Sequence, residues 1–188
     1  MKTPLPLKRL LIAGVVAAAA AVGSINGNVQ ARPNDPAVPT AIKVPAGNKV
    51  FLVGHAIGVQ IYSCDPTASG FAWGLVEPYA RLYGKNAKLV ATHYGGPTWH
   101  AKDGSTVVAQ RVDGVTVDAT AIPWLLLSTV STTSGDYGDR LMQTTFIQRT
   151  STTGGLPPAA ADCYATTAGS RVEVPYTADY HFWKASGR

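Results

Sequence analysis

The spacing of apolar residues is the feature that most constrains the fold of this chain. From Val44 onward they alternate with polar residues or form short runs, which Gly, Asp and Asn interrupt, and no stretch shows three turns of amphipathic helix. About ten short strands in one domain predict an all-β fold, an antiparallel sandwich or barrel. Helix is expected only as isolated short turns, most plausibly near residues 158–164.

Three turn signals divide the pattern. Asp103-Gly104 and Asp113-Gly114 each lie between strand-like runs, and such pairs favour the two-residue turns of β-hairpins because Gly readily adopts positive φ. Gly84-Lys85-Asn86 predicts another hairpin tip. Pro78 is expected to end a strand, because proline cannot donate to a sheet ladder.

The N-terminus has the composition of a secretory signal. Lys2, Lys8 and Arg9 precede an apolar, Ala-rich run over residues 10–22, which is too short to span a bilayer comfortably. The small residues around Ala31 predict a signal peptide over residues 1–31. A Pro-rich linker over residues 32–43 and an all-β domain over residues 44–188 follow. The mature protein is expected to be secreted or periplasmic.

Charge argues against two partner classes. Cleavage removes three basic residues and no acid, so the net charge falls from +5 to +2, with 13 basic against 11 acidic side chains left. The remaining basic residues are scattered, and no run could follow a phosphate backbone. The sequence therefore favours neither nucleic acid nor an anionic membrane as partner, and it predicts no transmembrane segment after cleavage.

The two cysteines, Cys64 and Cys163, would both reach an oxidising compartment. A reactive thiol or a metal pair is the alternative, but no CxxC motif occurs and neither cysteine has a nearby histidine. The sequence predicts a structural disulfide between them.

A set of motifs in fixed order resembles a known family. They are GVQIYSC (58–64), HYGGPTW (93–99) with DGS (103–105), IPWLLL (122–127), IQRTSTTGG (147–155) and VPYTADYHFW (174–183). Together they resemble a secreted family of bacteria and fungi, domain of unknown function 3455. The resemblance implies an exported, β-rich domain over nearly the whole mature chain, and it implies no activity, ligand or catalytic residue.

Metal binding is one candidate chemistry. His93 and His100 flank a Gly-Gly-Pro bend, and with Asp103 orienting a ring they form the best constellation for zinc or copper. The chain has no HxH or HExxH motif, and His93 can equally be a structural residue that hydrogen-bonds within the bend. Asp136 and Asp139 lie in a loop that could contribute oxygen ligands to calcium, but the loop lacks the pattern of an EF-hand.

Exposed aromatic side chains favour a binding function. The chain has more tryptophans and tyrosines than one small core readily encloses, and an exposed ring can stack on a sugar or pack on a partner. Trp99 after the Gly-Gly-Pro bend is the strongest candidate, with Tyr137, His93, His100 and Asp103 as further binding candidates. No GxSxG elbow marks a nucleophile, and the only glutamates are Glu77 and Glu173.

The sequence therefore favours a non-catalytic binding module, with a carbohydrate or protein ligand such as a cell-envelope polysaccharide. Such a module is expected to require no cofactor. The alternative is a metal-dependent or hydrolytic enzyme centred on His93, His100 and Asp103.

Overall fold

The computed structural model describes Met1 and residues 35–187 of the chain. Apart from Met1, the predicted signal peptide lies outside the described residues, and so does the start of the predicted linker. The end of that linker packs on the domain. A single 3₁₀ turn, Thr40–Ile42, buries Ile42 completely, and the Gln148 side-chain amide donates a hydrogen bond to the Ile42 carbonyl at 2.6 Å.

Eight antiparallel strands build the domain, in the order in which they follow along the chain. They are β1 (Asn48–Thr67), β2 (Gly70–Tyr83), β3 (Leu89–Tyr94), β4 (Thr98–Ala101), β5 (Thr106–Val115), β6 (Trp124–Thr133), β7 (Phe146–Gly154) and β8 (Arg171–Ala185). A second 3₁₀ turn, Ala160–Asp162, falls within the segment where the sequence predicted a helical turn.

The sheet closes into a barrel because β1 pairs with both β2 and β8. Each strand therefore pairs with a neighbour on both sides over at least part of its length. The all-β, single-domain prediction is confirmed, and the architecture is a barrel. It contains eight strands rather than about ten, because residues 50–55 and 59–62 belong to one long strand, β1.

Two of the predicted interruptions are absent, and two predicted turns are present. Gly84-Lys85-Asn86 lies in the connection between β2 and β3, as predicted. Asp103-Gly104 turns the chain between β4 and β5 as predicted. The turn predicted at Asp113-Gly114 is wrong, because both residues lie inside β5 and pair with Leu126 and Leu125. Pro78 does not end a strand either, because it lies inside β2 and pairs with β1. The other side of β2 pairs with β3 only from Ala80 onward, so the N–H that proline lacks costs no hydrogen bond of the sheet there.

The core fills the inside of the barrel with large and small side chains in alternation. Trp99, Tyr180 and Phe182 are fully buried, and their rings meet edge to face at centroid distances of 5.5 and 6.2 Å. Alanines face the same interior and leave room for these rings; they are Ala56, Ala80, Ala91, Ala101, Ala109 and Ala178.

The two ends of the barrel differ. The end formed by the β1–β2, β3–β4, β5–β6 and β7–β8 connections is called the mouth here, and the opposite end is called the base. At the mouth, the predicted disulfide is present: Cys64 on β1 bonds Cys163 in the β7–β8 connection, with the Cα atoms 5.3 Å apart. None of the helices in the described part of the chain is long and apolar enough to cross a membrane.

Candidate functional site

A cavity of about 330 Å³ penetrates the barrel from its mouth. Its apolar wall comes from the mouth connections and from the inward faces of β2, β4 and β6; the residues are Leu75, Pro78, Pro97, Trp99, Ile122, Leu125 and Leu127. Leu75 and Arg111 at the rim are exposed, whereas Trp99 at the inner end is fully buried. A pocket of this size and lining is typical of small-molecule sites.

His93 forms part of the inner wall. Its ring stacks on Trp99 with the centroids 4.2 Å apart and the planes 6° from parallel, and it meets the edge of Tyr180 at 5.2 Å. Nδ1 donates a hydrogen bond to the Thr98 carbonyl at 2.9 Å. Burial lowers the pKa of His93 to about 4, against the opposing effect of this hydrogen bond. The ring is thus neutral near pH 7, and Nε2 is its unprotonated acceptor.

Arg149 brings a positive charge into the wall. Its Nε and one terminal nitrogen donate to the Pro123 carbonyl at 3.1 and 2.9 Å, which fixes the guanidinium at the cavity. Arg111 lines the same cavity from the rim. Among the residues that the structure describes, no carboxylate lies within 4.0 Å of either guanidinium. The half-buried charge of Arg149 therefore has no counter-ion among the described residues.

Two buried donors in the lining are also unsatisfied. Gln60 and Trp99 are at most 2% exposed, and within residues 35–187 neither the Gln60 Nε2 nor the Trp99 indole nitrogen has a hydrogen-bond partner. Buried donors are nearly always paired in folded proteins, so two in one cavity are unusual. Tyr62 differs, because its hydroxyl donates to the Gly155 carbonyl at 2.7 Å. The lining therefore includes two residues whose buried N–H groups are unpaired.

The β7–β8 connection is fastened over one side of the mouth. The disulfide joins it to β1, and the Trp73 indole donates to the Ala159 carbonyl at 3.2 Å. Gly155 packs so tightly that an added Cβ would lie 2.9 Å from Tyr176 and 3.2 Å from Gln60. These contacts hold the rim in one shape.

The family model of DUF3455, a protein of unknown function, matches residues 45–184. The chain belongs to this family. The match covers the barrel from just before β1 to the penultimate residue of β8, which confirms the resemblance found in the motifs. No curated protein and no solved structure matches the chain.

The barrel of this DUF3455 domain separates the residues that the sequence proposed as one metal or catalytic centre. His93 and Trp99 face the interior together, whereas His100, the next residue on β4, is exposed on the outer face. Asp103 lies in the β4–β5 turn at the base, away from His93 near the mouth. The structure therefore does not bring His93, His100 and Asp103 to one point.

Neither proposed metal site gathers ligands in the DUF3455 barrel. Over the described residues, no group of three or more His, Cys, Asp or Glu side chains is placed to hold a metal ion. Asp136 and Asp139 of the calcium hypothesis are both exposed in the β6–β7 connection. Asp103 and Tyr137, in contrast, do meet, and they line a second cavity at the base.

Apart from His93, the polar residues of the mouth cavity were missed by the sequence analysis. Arg149 stands two residues after Ile147, which is buried in the core, so alternation places a charge on the inward face of β7. That charge was the available signal. Gln60 gave no such signal, because it lies between apolar Val59 and Ile61 and its position in the alternation predicts a solvent-facing side chain.

Proposed function

We propose that this DUF3455 domain is a binding protein whose barrel takes up a small anionic molecule with an apolar or aromatic body. The uncompensated guanidinium of Arg149 in the cavity wall is the observation that carries the proposal. A carboxylate is the favoured head group, because hydrogen bonds to a charged partner are worth about 1.5–3 kcal/mol each and suit a fixed guanidinium.

The unpaired donors support the same choice of head group. An acceptor oxygen within reach of Gln60 Nε2 or of the Trp99 indole nitrogen would satisfy a donor that otherwise costs about 1–3 kcal/mol. The neutral His93 ring adds an acceptor for a ligand hydroxyl or N–H. Among the polar residues of the cavity lining, positively charged groups and hydrogen-bond donors thus predominate over hydrogen-bond acceptors.

The apolar wall and the volume define the ligand body. A cavity of about 150 Å³ holds benzene, so one of about 330 Å³ suits a body of about a dozen non-hydrogen atoms. Proline, leucine and tryptophan surfaces favour a flat or branched hydrocarbon part. An aryl or short branched carboxylic acid meets both requirements.

Binding is favoured over catalysis because the cavity presents no nucleophile paired with a base. The polar groups of its lining supply charge, donors and one neutral imidazole, which suffice to orient a ligand. We further propose that the domain works in a secreted or periplasmic setting, an assignment supported by the buried disulfide and by the N-terminal sequence.

The test is calorimetric titration of the mature protein with aryl carboxylates of about a dozen non-hydrogen atoms and with their neutral primary amides. We expect the carboxylates to bind more tightly than the amides, and Arg149→Met to weaken carboxylate binding roughly 10- to 100-fold. Arg81→Met is the matched control, since Arg81 is exposed on the outer wall of β2.

Three results would overturn the proposal. They are equal affinity for carboxylates and amides, unchanged affinity in Arg149→Met, and failure of every carboxylate in the series to bind at millimolar concentration. Equal melting temperatures of the two variants in the absence of ligand would exclude misfolding as the cause of weaker binding.

A further inference from the structure

A second cavity, of about 460 Å³, lies at the base of the barrel, at the opposite end from the mouth. The β2–β3 turn, the β4–β5 turn and the β6–β7 connection surround it. The residues that give it its chemistry are Asn86, Lys88, Lys102, Asp103, Tyr137 and Arg140. These come from three separate connections, so the closed barrel alone brings them together.

Positive charge predominates in this basal cleft. Lys88, Lys102 and Arg140 are exposed, and within the described part of the chain no carboxylate oxygen lies within 4.0 Å of their charged nitrogens. Asp103 is the one acid in the lining. The cleft therefore carries an excess of two positive charges, and its cations are available to a ligand.

Asp103 serves the architecture of the cleft. One carboxylate oxygen accepts from the Ser105 backbone and hydroxyl at 3.1 and 2.7 Å, and the other accepts from the Arg140 backbone at 2.8 Å. Burial acts to raise the pKa of Asp103, but these hydrogen bonds and the Arg140 charge hold it below its ordinary value. The carboxylate stays ionised and ties the β6–β7 connection to the β4–β5 turn.

The backbone at Tyr137 is held in place, and its ring is almost fully exposed. Its backbone N–H donates to the Asp103 carbonyl at 3.0 Å, and Gly135 N–H donates to the Gly138 carbonyl at 3.0 Å in the same short loop. Gly135 lies so close to the β4–β5 turn that an added Cβ would be 2.2 Å from the backbone carbonyl oxygen of Asp103. The ring is nevertheless 88% exposed. An exposed aromatic ring on a fixed backbone beside cations suits a flat polar ligand with some apolar surface.

We propose that the basal cleft binds a carboxylate-bearing sugar unit of an acidic polysaccharide. The sugar ring stacks on Tyr137, and its carboxylate meets Lys88, Lys102 and Arg140. Asn86 accepts a hydrogen bond from the Lys88 backbone through its side-chain oxygen, which leaves its amide nitrogen to donate to a sugar hydroxyl. This site is independent of the ligand proposed for the mouth.

Charge density favours a uronic-acid polymer over a nucleic acid. Duplex DNA carries one negative charge for about every 1.7 Å of its axis, whereas a polyuronate carries one for each sugar. An excess of two positive charges in the lining suits the sparser charge of a polyuronate. One aromatic platform likewise accommodates one ring rather than a series of stacked bases.

The experiment measures binding of a tetragalacturonate to the mature protein by calorimetry, with maltotetraose as the neutral probe and a single-stranded oligonucleotide as a denser polyanion. We expect tetragalacturonate to bind and maltotetraose not to bind. We also expect Tyr137→Ser and the double variant Lys88→Gln with Lys102→Gln each to weaken binding roughly tenfold or more.

Control variants away from the cleft are Tyr164→Ser, whose ring is 50% exposed in the β7–β8 connection, and Arg171→Gln at the exposed start of β8. Both should bind tetragalacturonate like the wild type. The proposal is overturned if maltotetraose binds equally well, if neither galacturonate nor the oligonucleotide binds, or if the oligonucleotide binds more tightly than galacturonate. It is also overturned if the lysine variant weakens binding and Tyr137→Ser does not, because the surface would then attract polyanions without recognising a sugar.

Discussion

Protonation of His93 should make the stability of the domain depend on pH in a predictable direction. The ring is 3% exposed and lies between Trp99 and Tyr180, so the folded protein resists charging it. Its pKa is about 4 in the folded state, against 6.5 for an unperturbed histidine. Between these two pH values the unfolded chain binds a proton that the folded chain does not.

The difference between the two pKa values sets the direction and the size of the change in stability with pH. The free energy of unfolding has its full His93 contribution above about pH 6.5 and loses it as the pH falls toward 4, because protons stabilise the unfolded state. A drop in pKa from 6.5 to about 4 corresponds to about 3 kcal/mol, at 1.36 kcal/mol per pKa unit. His181, whose pKa burial also lowers against the opposing charge of Asp179, acts in the same direction. A His93 variant is therefore needed to isolate this residue.

Urea unfolding of the wild type and of His93→Gln at intervals from pH 8 to pH 4 measures the effect. Glutamine is not charged in this range, so the stability advantage of the wild type should shrink by about 3 kcal/mol between pH 8 and pH 4. At pH 7, His93→Ala should lower the free energy of unfolding by about 1–3 kcal/mol, through the lost ring contacts and the stranded Thr98 carbonyl.

Parallel pH profiles for wild type and His93→Gln would refute this reasoning, since they would show that the buried ring charges freely. A chelator should leave the melting temperatures of both proteins unchanged. A lower melting temperature in the wild type alone would instead identify His93 as a metal ligand.

Three further predictions concern the disulfide, the packing at Gly135 and the cleavage of the signal peptide. Replacing Cys64 and Cys163 by serine should lower the free energy of unfolding by up to about 4–5 kcal/mol in urea titrations, because the bridge closes a 99-residue separation; a loss below about 1 kcal/mol would contradict it. Gly135→Ala should destabilise the domain by at least about 2 kcal/mol more than Gly74→Ala, since its Cβ would meet backbone at 2.2 Å and that of Gly74 only a carboxylate at 3.2 Å; equal melting temperatures would refute the packing argument. N-terminal sequencing of the exported protein should begin at Arg32, and a retained Met1 would disprove the predicted cleavage.

The opposite ends of the barrel give the domain two chemically different surfaces. The mouth cavity combines an apolar wall with one half-buried cation, whereas the basal cleft combines exposed cations with an exposed ring. Because even and odd connections of an up-and-down barrel fall at opposite ends, either end can change without disturbing the other. Variants at one site should therefore leave binding at the other unaltered.

Local patterns in the sequence were sufficient for the class of fold. A disulfide-braced β-domain is predicted by period-two alternation, by the Asp103-Gly104 turn and by two cysteines behind a predicted signal peptide. Each of these signals depends only on neighbouring residues or on the compartment of the protein. The same local signals failed at Asp113-Gly114. There the pairing of β5 with β6 extends through both residues and outweighs their turn preference.

Only the tertiary structure decided which face of each strand forms a site. Alternation along β1 reads as though Ile57 and Ile61 faced the core, yet Ile57 is 64% exposed, and Gln60 and Tyr62 are buried in its place. Ala56, Gln60, Tyr62 and Cys64 share one face of β1, and barrel closure decides that this face is inside. The approach of Tyr137 to Asp103 was likewise invisible in the sequence, because the hydrogen bonds that join them span two connections at one end of the barrel.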